Sequence, residues 1–210
     1  MAFSQFKSLG EAAKRLRFLA KNATFMSAAV SVEAPAALRE RLAIILEEGL
    51  HRISEAARCE MLIAPLLCEV WLRYRAILKL WSHAPLEYDV ELVGTPDYLI
   101  AKQSEFGFAV IGSPILVAVE AKQDNFEYGW GQCAAEMIAI QKLNGDSVSA
   151  VFGIVTNGET WQFGKLEGTT LTQETAYYGM SDLDRLFGAL TFVMEECYKQ
   201  VTQTQALEVV

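Results

Sequence analysis

The chain of 210 residues is 52% hydrophobic and 21% charged, and its mean hydropathy is +0.19. These values exclude a disordered protein and predict one domain with a substantial core. The formal net charge of −8 argues against a general DNA-binding protein, because non-specific affinity for DNA depends on cations that neutralise phosphates.

The charge is unevenly distributed along the chain. Residues 1–85 contain 12 Lys and Arg against 8 Asp and Glu, whereas residues 86–210 contain 6 against 18. Any contact with DNA is therefore expected to use the N-terminal helices. The densest basic cluster there consists of Lys14, Arg15, Arg17 and Lys21. A solvated helix face is the alternative explanation of this cluster.

Targeting and redox signals are few. The first ten residues lack the apolar core of a secretory signal, and no apolar stretch reaches the roughly 20 residues of a membrane span. We therefore expect a cytoplasmic protein that does not enter the membrane. Four cysteines without a Cys-x-x-Cys pair, and only two histidines, argue against a structural zinc site. Buried, reduced thiols are expected at Cys59, Cys68, Cys133 and Cys197.

Helical patterns dominate the first third of the chain. Apolar spacing and helix-start signals predict helices over residues 8–21, over 34–50, and from the N-cap Ser54 to about Arg73. Pro35 fits the first turn of the second helix. Pro65 predicts a kink or a break within the third. Residues 1–50 are thus expected to form an N-terminal helical elaboration.

From residue 76 the pattern changes to alternation and short apolar runs, which predicts strands. The predicted strands cover residues 88–94, 97–102, 115–122, 148–155, 161–163 and 171–177. Asn157-Gly158 is typical of a two-residue hairpin turn. Helices are predicted over residues 131–143 and from Asp182 to about Val201. This order predicts an α/β fold with a mixed sheet rather than a repeating βαβ array.

Three charged residues stand at the ends of two of the predicted strands. Asp97 precedes one apolar run, and Glu120 and Lys122 end another. Side chains two apart in a strand share a face, so Glu120 and Lys122 lie together, and Asp97 joins them if the strands pair. Two carboxylates beside an amine suit a hard cation and an activated water. The alternative is that these residues form no site. Asp97 would then be a turn residue, and Glu120 and Lys122 would be an ordinary charge pair at a sheet edge.

This pattern resembles the PD-(D/E)XK nuclease superfamily. Pro96-Asp97 is followed 23 positions later by Glu120-Ala121-Lys122, and Gln132 lies in the next helix, where such families often hold a glutamine. Two further segments are similar to parts of the nuclease domains of type I restriction motor subunits and their stand-alone relatives. These segments are Ser54–Leu67, in the first helix, and Phe152–Trp161, in a strand-turn-strand. The resemblance covers about residues 52–165.

The resemblance implies a restriction-endonuclease-like three-layer core, with a central mixed β-sheet flanked by helices and extra N-terminal helices. Residues 51–210 would be the nuclease-like domain, within a single domain overall. Asp97, Glu120 and the carbonyl of Ala121 would bind Mg²⁺ or Mn²⁺. Lys122 would orient or deprotonate the attacking water, and Glu55 and Gln132 would support the site. The implied activity is endonuclease-like hydrolysis of DNA. The DNA would contact the basic N-terminal helices and the metal site, and the protein is a possible homodimer.

Other enzyme classes are disfavoured by the sequence. Gly158–Lys165 is one residue too long for a phosphate-binding Walker loop, and no Gly-x-Ser-x-Gly is present. The serious alternative is a non-catalytic relative that keeps the same fold as a binding or assembly module. The acidic balance and the extra helices favour this alternative, whereas the set of Asp97, Glu120 and Lys122 opposes it.

Overall fold

The structure is a computed structural model that describes residues 3–122, 125–145 and 149–208, with side chains as far as Gln203. The helices are α1 Leu9–Leu16, α2 Ala36–Glu47, α3 Glu55–Arg58, α4 Ala64–Trp71, α5 Phe126–Asn144 and α6 Leu183–Glu208. The strands are β1 Leu19–Asn22, β2 Leu78–Ser82, β3 Leu86–Glu87, β4 Val93–Gly94, β5 Tyr98–Lys102, β6 Ile115–Ala121, β7 Val151–Thr156, β8 Thr160–Glu167, β9 Thr170–Gln173 and β10 Tyr178–Gly179.

The main sheet has eight strands in the order β1-β9-β8-β7-β6-β5-β2, and β10 also pairs with β8. Strands β6 and β7 run parallel, as do β1 and β9, and the other pairs are antiparallel. The short strands β3 and β4 form a separate hairpin. The predicted α/β class with a mixed sheet is confirmed.

Helices cover both faces of the sheet. One apolar cluster joins α1 and α5 to the sheet, and a second joins α2, α4, α6 and the segment around α3 to the opposite face. Strands β6 and β7 are buried along their whole length between these two layers. Because α5 connects these two parallel strands, its N-terminus lies near the C-terminal ends of both strands. The candidate site lies at these strand ends.

The predicted helix over 8–21 is wrong beyond Leu16. Helix α1 ends there because Arg17 takes a left-handed conformation with φ of 59°. The chain then turns into β1, an edge strand parallel to β9, so residues 1–50 contribute a strand to the main sheet as well as helices. The predicted helix over 34–50 also ends early, at Glu47, and Gly49 with φ of 66° leads into a separate 3₁₀ turn.

The predicted third helix starts as expected. The side chain of Ser54 accepts a hydrogen bond from the amide of Ala57 at 3.0 Å. The interruption lies upstream of Pro65, as a π-helical turn over Cys59–Ile63. This turn ends the α3 hydrogen-bond pattern before the proline, which then stands at the start of α4, where its missing N–H needs no partner.

The strand predictions over 97–102 and 115–122 are confirmed, and a hairpin does follow β7. Its two central residues are Gly158 and Glu159 rather than Asn157 and Gly158, because the Asn157 amide donates to the Thr160 carbonyl. The strand over 88–94 is wrong, because the Asp89 side chain accepts from the amides of Glu91 and Leu92 and turns the chain between β3 and β4. The predicted strand over 171–177 is right only as far as Gln173, where β9 ends, and β10 begins beyond it, at Tyr178. Val148, the first residue of another predicted strand, lies outside the described residues.

Two further expectations concern the membrane and the thiols. None of the helices in the described part of the chain is long and apolar enough to cross a membrane. All four cysteines are free thiols, and Cys59, Cys133 and Cys197 are buried as expected. Cys68 is exposed, because it lies on the outer side of α4. Burial raises the pKa of Cys59 to about 12, which keeps this thiol protonated at neutral pH.

Candidate active site

The register of β5 and β6 brings Asp97 beside Glu120. Tyr98 pairs with Val119 and Leu99 with Ala118, so the next pair in the antiparallel register is Asp97 with Glu120. Directly opposed side chains share a face, with Cβ atoms about 5 Å apart. The Asp97 Oδ2 atom also accepts a hydrogen bond from the amide of Ala121 at 2.7 Å, which fixes the carboxylate at the end of β6.

Lys122 completes this group. Its Nζ atom lies 2.8 Å from Oε1 of Glu120, and only 17% of the lysine side chain and 5% of the glutamate side chain are exposed. The backbone amide of Lys122 donates to the Thr156 carbonyl at 2.8 Å, which continues the β6–β7 ladder by one residue. Gly129 of α5 makes room for the lysine, since a Cβ atom at this position would lie 3.1 Å from Lys122 Cγ.

Helix α5 adds a second glutamate that the sequence reasoning did not include. Glu136 is 1% exposed and hydrogen-bonds the carboxyl group of Glu120. Gln132 lies one turn earlier on α5 and is also buried. The Gln132 Oε1 and Glu136 Oε2 atoms are buried, and none of the described residues forms a hydrogen bond with them. We refer to Asp97, Glu120, Lys122 and Glu136 as the carboxylate site.

Burial dominates the electrostatics of the carboxylate site. It raises the pKa of Glu120 to about 7, with a further contribution from the charge of Asp97 and an opposing one from Lys122. Burial also raises the pKa of Asp97, against the lowering effect of the Ala121 amide. The pKa of Glu136 is well above its ordinary value, because this carboxyl group is buried beside Glu120. The hydrogen bond between the two glutamates therefore fits a protonated Glu136 that donates to Glu120.

The lysine is affected by two opposing influences. Burial favours the neutral amine and lowers its pKa, but the adjacent Glu120, with Glu55 and Asp97, outweighs burial and raises it. Lys122 is thus an ammonium in this structure, able to donate hydrogen bonds to oxygen atoms near Glu120.

The backbone geometry bears on the predicted role of Ala121. Successive residues of a strand direct their N–H and C=O groups to alternate sides. Lys122 donates to β7, so Ala121 directs its polar groups to the side of Asp97, and its amide is bonded to that carboxylate. The Ala121 carbonyl therefore faces the same side as Asp97, as a metal ligand at this position would need to do.

The other two predicted site residues, Glu55 and Gln132, have no direct polar contact with Lys122 in the described part of the chain. Glu55 lies in the first turn of α3 and is exposed, near enough for its charge to raise the pKa of Lys122. No hydrogen bond or ion pair joins Glu55 or Gln132 to Lys122 in the part of the chain that the structure describes. Gln132 instead lies under the site, on the face of α5 that also carries Glu136.

His83 is a further residue near Asp97. Its Nε2 atom lies 3.5 Å from Asp97 Oδ1, its backbone amide donates to the Asp97 carbonyl, and its side chain is 57% exposed. The sequence offered no signal for this contact, because His83 follows an unpredicted strand, β2, and adopts a positive φ of 50°.

The donor set fits a hydrated magnesium ion. No group of three or more His, Cys, Asp and Glu in the described ranges is arranged to hold a metal ion alone. Mg²⁺ does not require such a group, since it is usually bound by one or two carboxylates and keeps several waters. The buried oxygen atoms of Gln132 and Glu136 that lack partners provide acceptors for such waters.

The basic N-terminal cluster is more dispersed than expected. Lys14 and Arg15 lie in the last turn of α1, Arg17 is the left-handed cap, and Lys21 lies on the edge strand β1. Arg15 pairs with Glu11 and Glu91, so its charge is partly neutralised. The other three side chains are exposed, and their contact with DNA stays a prediction.

No protein-family model matches the sequence, and no curated protein matches it significantly.

Proposed function

We propose that this chain is a magnesium-dependent nuclease that hydrolyses phosphodiester bonds of DNA, built on a restriction-endonuclease-like core. The proposal is carried by one observation. Two carboxylates, Asp97 and Glu120, oppose each other at the end of a buried sheet, with the Lys122 amine 2.8 Å from Glu120. Charged groups are rarely buried unless they are paired or bind a metal, and this group contains more acids than cations.

In this proposal Asp97, Glu120 and the Ala121 carbonyl hold Mg²⁺, with Mn²⁺ as the substitute. The ion supplies Lewis-acid stabilisation of the charge that develops on the phosphate and the leaving oxygen. Lys122 donates to the attacking water or to a phosphate oxygen and so holds the two reactants in line. Water attacks phosphorus, the bond to the leaving oxygen breaks, and the proton of the water passes to solvent or to that oxygen.

The remaining predicted residues have supporting roles in the proposal. Glu55, at the solvent side, binds a water near the ion, and Gln132, beneath it, orients another through its buried oxygen. Lys14, Arg17 and Lys21 attract the phosphate backbone. A homodimer would allow both strands of a duplex to be cut, as the resemblance implies.

The metal hypothesis is tested by titration calorimetry with Mn²⁺. Wild type is expected to bind the ion, and Asp97→Ala and Glu120→Ala are expected to lose binding. Glu105→Ala is the matched control, because Glu105 is an exposed acid in the loop at the opposite end of β5 and β6. An absence of Mn²⁺ binding by the folded wild-type protein would overturn the proposal.

A second candidate function is a non-catalytic binding or assembly module. It is favoured by the contacts of Glu120, whose carboxylate has partners within the protein, namely the Lys122 amine and the Glu136 carboxyl group. The same titration separates the two candidates. A module of this kind is expected to give no heat with Mn²⁺ and no change on Asp97→Ala.

A further inference from the structure

A polar cavity lies on the same face of the sheet as the carboxylate site. It has a volume of about 130 Å³, and nearly all of its exposed lining consists of polar atoms. We call it the amide pocket, after its three amide side chains. The residues that define it are Asn22, Gln162, Gln173, Glu174, Trp130 and Tyr177.

The amide pocket and the carboxylate site lie along the same row of strand ends. Glu120 pairs with Val155 on β7, and Val155 pairs with Gln162 on β8, so the three stand in one row across the sheet. Two strand spacings separate Glu120 from Gln162, which is about 10 Å. Gln173 and Asn22 extend this surface, since they are partners in the register of β9 and β1. A single strand of nucleic acid is long enough to touch both places.

One wall of the pocket has a fixed hydrogen-bonding direction. The indole Nε1 of Trp130 donates to Oε1 of Gln162 at 2.6 Å. Because an indole can only donate, this contact assigns the amide oxygen of Gln162 and leaves its NH₂ group to face away from Trp130. Gly164 leaves space for the indole, because a Cβ atom at this position would lie 2.7 Å from the Trp130 ring.

The charge of the pocket excludes a phosphate as its ligand. No lysine or arginine is among the described residues that line it, and one wall is the carboxylate of Glu174. Both oxygens of Glu174 already accept hydrogen bonds, from the backbone amides of Phe25, Met26 and Ala176, so the acid is a fixed negative wall. A neutral ligand with both donors and acceptors fits these groups.

An aromatic side chain stands beside the amides. Tyr177 borders the pocket and is 64% exposed, so its ring is open to a ligand at the mouth of the pocket. Nucleobases combine a flat face, which stacks on aromatic rings, with an edge of donors and acceptors, which amide side chains recognise. The small volume admits one unpaired base and not a duplex.

We propose that the amide pocket binds one unpaired nucleobase of a DNA strand whose backbone passes the carboxylate site. The assignment of a strand rests on the proposed nuclease function. Asn22, Gln162 and Gln173 contact the edge of the base, and Tyr177 stacks on its face. The pocket thereby directs the nuclease to single-stranded DNA, or to duplex ends that open.

The test measures binding without cleavage. A fluorescent single-stranded DNA of mixed sequence is titrated with protein in the presence of a chelator, and a strand of equal length with abasic positions is titrated in parallel. Tyr177→Ala is expected to weaken binding of the base-bearing strand roughly tenfold and to leave the abasic strand unchanged. Gln173→Leu is expected to act in the same direction. Tyr88→Ala is the matched control, since Tyr88 is a partly exposed tyrosine in the β3–β4 hairpin.

The outcomes separate this proposal from the nuclease proposal. Equal affinity for the two strands, or no effect of Tyr177→Ala, would overturn the amide pocket even if the protein cleaves DNA. Tyr177-dependent binding by a protein that never cleaves with Mg²⁺ would leave the pocket standing and count against the nuclease. A competition with free deoxynucleoside monophosphates distinguishes the ligand source. If these compete through Tyr177 while the strand does not bind, the assignment to a strand is wrong.

Discussion

Glu174 offers a quantitative test of how the N-terminal segment is held to the sheet. Its side chain is buried, and Oε2 accepts from the amides of Phe25 and Met26 at 2.8 Å each. Oε1 accepts from the amide of Ala176 at 3.2 Å. These bonds tie the chain after β1 to the chain after β9. The perturbation is Glu174→Gln, which preserves the shape and removes the charge.

The expected loss follows from the number and type of these bonds. Hydrogen bonds to a charged group contribute about 1.5–3 kcal/mol each, against about 0.5–1.5 kcal/mol for neutral pairs. Glutamine retains one oxygen for the Phe25 and Met26 amides, but its NH₂ group then faces the Ala176 amide, donor against donor. We expect a loss of about 2–3 kcal/mol at pH 7, or about 5–10 °C in melting temperature for a chain of this size.

The pH dependence of this loss has a definite sign. Burial would raise the pKa of Glu174, but the amides of Met26, Phe25 and Ala176 outweigh burial and lower it below the ordinary value of 4.5. A lowered pKa in the folded state contributes stability that is present above 4.5 and is lost as the pH falls below it. Glutamine does not titrate there. The difference between wild type and variant should therefore be constant near neutral pH and shrink below about pH 4.5.

Urea unfolding followed by tryptophan fluorescence from pH 3 to pH 7 measures this difference. Glu167→Gln is the control, because Glu167 on the adjoining strand is 51% exposed and forms a surface ion pair with Lys165. It should change the free energy of unfolding by less than about 0.5 kcal/mol. A Glu174→Gln variant as stable as wild type at pH 7, or one whose deficit does not change down to pH 3, would refute the reasoning.

Three further predictions concern packing and catalysis. Gly131→Ala should cost about 2 kcal/mol by urea unfolding, because its Cβ atom would lie 2.4 Å from the Phe6 carbonyl oxygen. Gly10→Ala, whose nearest atom is at 4.0 Å, should instead gain about 0.5–1 kcal/mol, and equal effects of the two would contradict this packing. Leu62→Ala should cost about 2–5 kcal/mol in the same assay, since Leu62 is fully buried. Lys122→Met should reduce Mg²⁺-dependent DNA cleavage by about 10²–10⁴-fold and retain Mn²⁺ binding, and cleavage at the wild-type rate would exclude its proposed role.

The meeting of Asp97, Glu120 and Lys122 could be predicted because it depends on local rules. The two-residue period of a strand placed Glu120 and Lys122 on one face, and the pairing of neighbouring strands in the chain brought Asp97 opposite. The hairpin after β7 was also predictable from local sequence, but its turn is displaced by one residue. Asn157 pairs with Thr160, and Gly158, with φ of 86°, stands first of the two central residues.

The features that the sequence did not predict depend on distant partners. Strand β1 is short and partly polar, and it exists because β9, about 150 residues later, offers a free edge. His83 reaches Asp97 because β2 pairs with β5, with Ser82 opposite Tyr98, and β2 was not predicted from the sequence. Glu136 did leave a signal, because it is the one charged residue in the apolar run from Cys133 to Ile140. A single acid in such a run indicates a buried carboxyl group with a partner.

The carboxylate site is a costly arrangement for a protein that needs only stability. Among the described residues no group forms a hydrogen bond with Gln132 Oε1 or Glu136 Oε2, and a buried oxygen atom that stays unpaired costs about 1–3 kcal/mol, against a total stability of about 5–15 kcal/mol for a typical domain. Replacing buried charged groups with apolar residues of similar volume is often neutral or stabilising, so packing alone gives no reason to keep Glu120, Lys122 and Glu136 together. A ligand that offers positive charge or bound water to these oxygen atoms would recover much of that cost. A divalent cation at Asp97 and Glu120 would therefore explain why these groups are kept together, whereas a passive scaffold would not need them.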